Sequence, residues 1–509
     1  MNQFTHFLFA SLLPGTLLSG SLLSTSLHAS DNNGNQDQIV TQKTIRQAFV
    51  NGDSAVATVE KALTRIDATD GTYRAVIIKG GPAVIKAAEA LDALTEKERA
   101  ALPLAGVPLL IKDNIEVKDW ATTAGSLALA ENKTDKDADL IARLREAGAI
   151  ILGKTNLSEW ANFRSENSIS GWSGVGGQAR NARDPTRSPC GSSAGSAAAV
   201  ALGYVPVAIG SETNGSIICP AAINGVVGFK PTHGLVLGDG IVPLASSQDT
   251  AGPIANSVMG AANVLAVIIG SSSAEATTVR NSLAHLSTPD NLKGIRLGVV
   301  ARTQNFDERR DKVFDIALNT LKMLGADITP GLEMETYVEF GADEYDVLLY
   351  EFKRDLNAYL AGLPNDLSTM TLETLIAFNA SNEHELSLFD QSIFVKAQEL
   401  AITESEYLEK RSKNVRAAGI EGIDAVLTKH NLDALIGISN GPAWTIDDIN
   451  GDAFRGPSMS SLPAVGGHPH ITVPMGDIRG MPIGLSIVGK RFSDAHIAAI
   501  AAAFEQAHL

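Results

Sequence analysis

From Leu140 to Thr155 the chain reads LIARLREAGAIILGKT. Leu140, Ile141 and Leu144 fall at helical spacing, and beyond Gly148 the run Ala149-Ile150-Ile151-Leu152 has the length and β-branching of a buried strand. A helix that turns through glycine into a strand apolar on both faces predicts a sheet covered by helices on both sides. The pattern recurs outward from this stretch. Ile295 to Val300, Ala434 to Ile438, His470 to Val473 and Ile483 to Gly489 read as further strands, and Ser493 to about Gln506 reads as an Ala-rich closing helix capped by Ser493 and Asp494. Toward the N-terminus, residues 40 to 100 show helical spacing, as in Ser54 to Leu63, around a strand-like run from Tyr73 to Ile78. Residues 301 to 430 are richer in charge and helix formers, including Val313 to Leu324 and Leu348 to Leu360, and hold few candidate strands; they read as a helix-rich excursion.

The 509 residues, 44% hydrophobic and 19% charged, suffice for an extensive α/β core and exclude a disordered or fibrous chain. A net charge of −16 would repel phosphate backbones and anionic membranes, so nucleic acid is not an expected partner. With Cys190 and Cys219 as its only cysteines, the chain has neither a disulfide framework nor a cysteine-built zinc site. Phe7 to Leu27 reads FLFASLLPGTLLSGSLLSTSL without a charge, followed by the small residue Ala29 and a polar stretch. This predicts a signal peptide over residues 1–29, without the usual positive start, and a periplasmic or secreted protein over 30–509. No later segment is long and apolar enough to span a bilayer.

Two stretches satisfy familiar patterns and fail on context. Gly148 to Thr155 fits G-x-x-x-x-G-K-[ST], but its variable positions are the strand itself, so no loop is left to cradle phosphate and Lys154 reads as a strand-end residue. Gly191-Ser192-Ser193-Ala194-Gly195 fits the nucleophile elbow G-x-S-x-G, which needs a buried strand just upstream. Arg183 to Cys190 contains two prolines and several polar residues, which no central strand tolerates. A serine esterase using Ser193 and one of the ten histidines therefore stands only as an alternative. His468 and His470, flanked by Gly467 and Pro469, read as loop residues without a carboxylate at metal-site spacing.

Three further segments combine. In Gly106 to Asn114, GVPLLIKDN, Lys112 ends an apolar run, where it either reaches solvent from a strand end or is desolvated and becomes a base. Cys190 to Ser196 and Gly210 to Ala222 are serine-glycine turns between apolar elements. Together with GAIILGKTNLSEWANF from Gly148 and SQDTAGPIA from Ser247, these segments resemble the amidase signature family over most of the chain from about residue 40. TNLSEWANF, SISGW, LLYEFK and LIAFN are most similar to its bacterial peptide amidase branch.

The resemblance implies an amidase signature fold with a large mixed sheet, a Ser-cis-Ser-Lys triad and no cofactor. It assigns Ser216 as nucleophile, Ser192 as the serine after a cis peptide bond, and Lys112 as terminal base. Thr213, Asn214, Gly215 and Ser216 would supply oxyanion N–H groups, and Ser193 and Ser211 would support the triad. The implied reaction releases ammonia from a carboxamide, the expected substrates being peptide C-terminal amides, through an acyl-serine. A non-catalytic periplasmic binding protein on the same scaffold is the non-enzyme alternative. Ile218 stands where relatives that recognise a carboxylate carry arginine, which favours a neutral or peptidic substrate, and Asn214 stands where glycine or aspartate is commoner. Cys190 and Cys219 are expected as buried thiols beside the site, with a bridge open to them if the two serines meet.

Overall fold

The computed structural model describes residues 54–338, 341–456 and 458–508, so the expected signal peptide lies outside the described residues. The strands are β1 Val76–Lys79, β2 Pro108–Lys112, β3 Ile150–Thr155, β4 Trp172–Ser173, β5 Gly177–Gln178, β6 Val207–Glu212, β7 Val227–Lys230, β8 Thr250–Ala255, β9 Arg296–Val300, β10 Asp327–Leu332, β11 Ala434–Ile438, β12 His470–Ile478 and β13 Met481–Val488. Eleven of them form one sheet in the order β1-β3-β2-β6-β8-β7-β12-β13-β11-β9-β10, and β4 pairs separately with β5. The sheet is mixed. β3, β2 and β6 run parallel, β6 through β13 to β11 pair antiparallel, and β11, β9 and β10 are parallel again.

Alternation along β2 shows why helices cover both faces. Leu109 and Ile111 join a core with the helices Val258–Ile268 and Asp494–His508, whereas Leu110 joins a second core with the helices Ala55–Tyr73 and Ala194–Ala201. The stretch that decided the fold class behaves as read: the helix Asp139–Glu146 passes through Gly148, at φ +86°, into β3, all six residues of which are buried. Local signals set several boundaries. Ser54 accepts the Ala57 N–H to begin its helix, and Thr95 with Glu98 forms a capping box.

The helix-rich excursion is less separate than its composition suggests. It contains β10, which pairs in parallel with β9 at the sheet edge, and the helix Glu308–Met323 buries Phe314, Ala317 and Leu321 in the main core. The helices Gly341–Ala361, Leu372–Ala380 and Ser392–Glu399 instead form a third core with Trp160, Phe163 and Leu244. That core carries the helix Gly341–Ala361 to the site. The strand expected from His470 to Val473 is present as the start of β12, so the loop reading of His470 is corrected: it is fully buried, with Nε2 2.6 Å from Ser486 Oγ. Among the described residues, no helix is long and apolar enough to cross a membrane.

Candidate active site

Lys112 is the last residue of β2 and shares the face of Leu110, toward the helix Ala194–Ala201. Its side chain is fully buried. Nζ lies 2.7 Å from Ser192 Oγ and donates to Ser211 O at 3.1 Å and Ser211 Oγ at 2.9 Å. Burial pulls its pKa from 10.5 down to about 7, against the opposing carboxylates of Asp249 and Glu212. A neutral amine has two N–H groups and one lone pair. With both N–H groups on Ser211, the lone pair is left for the Ser192 hydroxyl.

Ser192 follows a cis Gly191–Ser192 peptide bond, and its carbonyl accepts the Ser158 N–H at 3.0 Å. Close packing, not an elbow, accounts for the glycines of this motif. A Cβ on Gly195 would fall 2.2 Å from Ala75 O and 2.6 Å from Asn156 O, and one on Gly191 would fall 2.0 Å from Ser158 Oγ. Ser193 is fully buried at the start of the helix Ala194–Ala201. Its hydroxyl donates to Ser211 O at 3.0 Å and accepts the Ser211 N–H at 3.2 Å. It is thus a brace between segments, which counts against the elbow alternative.

Ser216 lies in the turn between β6 and the helix Ile218–Asn224. Its carbonyl accepts the Ser193 N–H at 3.1 Å, which brings the two serine segments together. Gly215 adopts φ +84°, a left-handed conformation that glycine takes at little cost. Glu212 Oε2 accepts the N–H groups of Ile217 at 2.7 Å and Ile218 at 3.0 Å, which fixes the far end of the turn. Thr213 Oγ1 donates to Asp249 Oδ1 at 2.5 Å. Burial raises the Asp249 carboxyl to about 6, opposed by hydrogen bonds from Thr213, Leu244 and Ala245.

Cys190 and Cys219 form a disulfide with Cα atoms 6.0 Å apart. The expectation of two free thiols is corrected here: the meeting of the serine segments brings the cysteines within bridging distance. Lys154, the lysine of the phosphate-loop pattern, is also fully buried, with Nζ 2.9 Å from Asp113 Oδ1.

A cavity of about 370 Å³ opens on this turn, lined by Ser216, Phe163, Leu348 and Phe454 among others, with no acidic or basic side chain among its described lining residues. Asn162, Asn440 and Ser460 also line it, and each has a buried side-chain oxygen without a protein partner. None of these three residues is marked as a site residue by its motif. Asn162 lies inside the quoted stretch TNLSEWANF, and Asn114, which donates to Ser211 Oγ at 2.9 Å, ends GVPLLIKDN. Leu348 opens the stretch LLYEFK, whereas Asn440 and Ser460 belong to no such stretch.

The amidase family profile matches residues 57–497. The chain is 36% identical over 470 residues to a "Probable amidase" of Arabidopsis thaliana, covering 89% of this chain and 86% of that one. It is 32% identical over 461 residues to the mandelamide hydrolase of Pseudomonas putida, covering 87% and 86% respectively. The solved peptide amidase of Stenotrophomonas maltophilia is 44% identical, with a TM-score of 0.85 over 92% of this chain and 97% of that one. Fold, site and relatives together define a hydrolase that acts on amide C–N bonds. Within that class, the chain belongs to the amidase signature family.

Proposed function

We propose that this hydrolase removes the C-terminal carboxamide of peptides, with Ser216 as nucleophile, Ser192 as proton relay and Lys112 as base. The observation that carries this reading is the buried Lys112 Nζ, 2.7 Å from Ser192 Oγ, with its two other bonds made to Ser211. Ser216 Oγ attacks the amide carbon, its proton passes to Ser192, and the Ser192 proton passes to Lys112. The carbonyl oxygen gains charge as it becomes tetrahedral, and N–H groups of the turn Thr213 to Ser216 stabilise it, each such donor being worth about 3 kcal/mol. The proton returns through Ser192 to the leaving nitrogen and ammonia departs. Water then attacks the acyl-Ser216 ester by the same relay, and the peptide acid is released with the enzyme restored.

The uncharged cavity supports a neutral substrate, and its apolar and unpartnered polar groups suit a side chain beside peptide amides. The 44% identity to a peptide amidase supports peptides over smaller amides. Export, with residues 1–29 removed, is part of the proposal; N-terminal sequencing of protein from the periplasm or medium tests it, and an intact Met1 there would contradict it.

Ammonia release is to be measured over amidated peptides, free amino-acid amides and fatty amides, with wild type and Ser216→Ala. The expected result is preference for amidated peptides and loss of activity in the variant. Preference for a small aryl or fatty amide would overturn the substrate, and full activity in Ser216→Ala would overturn the nucleophile.

A further inference from the structure

The turn that carries Ser216 is held by side chains from two directions. On one side Thr213 is tied to Asp249, and Gln248 Nε2 donates to Thr213 O at 3.3 Å. On the other side, Asn214 Nδ2 donates to Glu344 Oε1 at 2.9 Å, and Gln248 Nε2 lies 3.3 Å from the same oxygen. Glu344 comes from the helix Gly341–Ala361, 130 residues away in the chain.

Glu344 is an unusual occupant of that helix. It is only 9% exposed, and the bonds to its carboxylate come from the neutral amides of Asn214 and Gln248. The neighbouring acids behave differently: Asp343 and Asp346 pair with Lys410, and Asp343 also with Lys413. Burying a carboxyl without a cation costs free energy unless hydrogen bonds offset it, and here those bonds are spent on the turn. Burial accordingly pushes the carboxyl above its ordinary pKa. Leu348, one helical turn further on, lines the substrate cavity. One helix therefore both borders the cavity and grips the oxyanion turn.

We propose that Glu344 is a positioning residue for this reaction: through Asn214 it fixes the peptide groups whose N–H bonds receive the tetrahedral oxygen. The inference rests on Ser216 being the nucleophile. It explains why asparagine stands at 214, since glycine offers no side-chain donor and aspartate would set a second carboxylate against Glu344. Hydrogen-bond donors to a developing charge lose effect steeply when misplaced, so freeing the turn should slow the chemical step more than it weakens substrate binding.

The test is a double-mutant cycle on the full chain, with kcat and KM for an amidated peptide, melting temperature and inhibition by a peptide aldehyde, whose adduct with serine carries the tetrahedral oxygen. Glu344→Ala should lower kcat about tenfold with KM within about twofold, and should weaken the aldehyde in parallel. Asn214→Ala should do the same, and the double variant should be no worse than either. Glu344→Gln, whose amide oxygen can still accept from Asn214, should recover most of kcat. Unchanged kcat in Glu344→Ala, losses that multiply in the double variant, or a loss in KM alone would overturn the proposal. If Glu344→Ala does not fold, Glu344→Gln and Asn214→Ala decide it: equal kcat in these two contradicts it. A wild type that releases no ammonia from any amide would instead strike the reading on which it rests.

Discussion

Lys112 and Lys154 are fully buried lysines at the ends of adjacent parallel strands, one register step apart, since Lys112 pairs with Thr155 and Ile111 with Lys154. Their partners differ. Lys154 meets the Asp113 carboxylate at 2.9 Å and donates to Ala121 O and Thr122 Oγ1, so its charge is matched. Lys112 meets two hydroxyls and one carbonyl, and its nearest carboxylates act on it only from a distance. Burial is common to both, and the partner decides the role: a carboxylate in contact holds an ammonium as structure, whereas hydroxyls leave an amine free to take a proton.

Replacing each lysine should therefore damage different properties. Lys112→Ala is expected to lower kcat/KM by about four orders of magnitude, measured by ammonia release, while the melting temperature holds or rises because a buried polar group is lost. Lys154→Met should do the reverse. It leaves Asp113 buried without its cation, which costs about 3–5 kcal/mol in denaturant unfolding, and Asp113→Asn added to it should recover part of that loss. Equal stability losses in the two lysine variants would erase the distinction.

Chain entropy gives a second contrast, between the serine segments and the rest. The disulfide closes a loop of 29 residues and bonds the segment before Ser192 to the helix after Ser216. The Cys190→Ala/Cys219→Ala variant is expected to lose about 3.5 kcal/mol of stability. Activity at low temperature should fall less than in Lys112→Ala, because the Ser193 bonds to Ser216 and Ser211 remain. A larger loss of activity than of stability would show that the bridge sets the geometry of the serines.

What was legible in the sequence follows the same physics. Lys112, Ser192 and Ser216 sit in short motifs whose residue types answer local demands: an apolar run that buries a lysine, and glycines required by close packing or by a left-handed turn. Residues that reach the site from afar left no such trace. Glu344 resembles any acid on a helix, and Asn440 and Ser460 look like loop residues until the fold sets them beside Ser216. β10 was missed because Pro330 and Gly331 argue against a strand, yet an edge strand tolerates both. The cysteine pairing depended on a distance that spacing alone could not supply.

The pH dependence tests the role assigned to Lys112. Protonated Lys112 cannot accept from Ser192, so kcat/KM should be flat above pH 8 and fall as pH drops through about 7, reaching roughly one hundredth of its plateau by pH 5. A profile level down to pH 5 would remove Lys112 as the base.

The most direct measurement is NMR titration of the lysine side-chain signals, with Lys112 assigned by its loss in Lys112→Ala. A Lys112 signal that titrates near pH 7 is the predicted result. A Lys112 that stays an ammonium beyond pH 9 would contradict the account, because no lone pair would then face Ser192 at working pH.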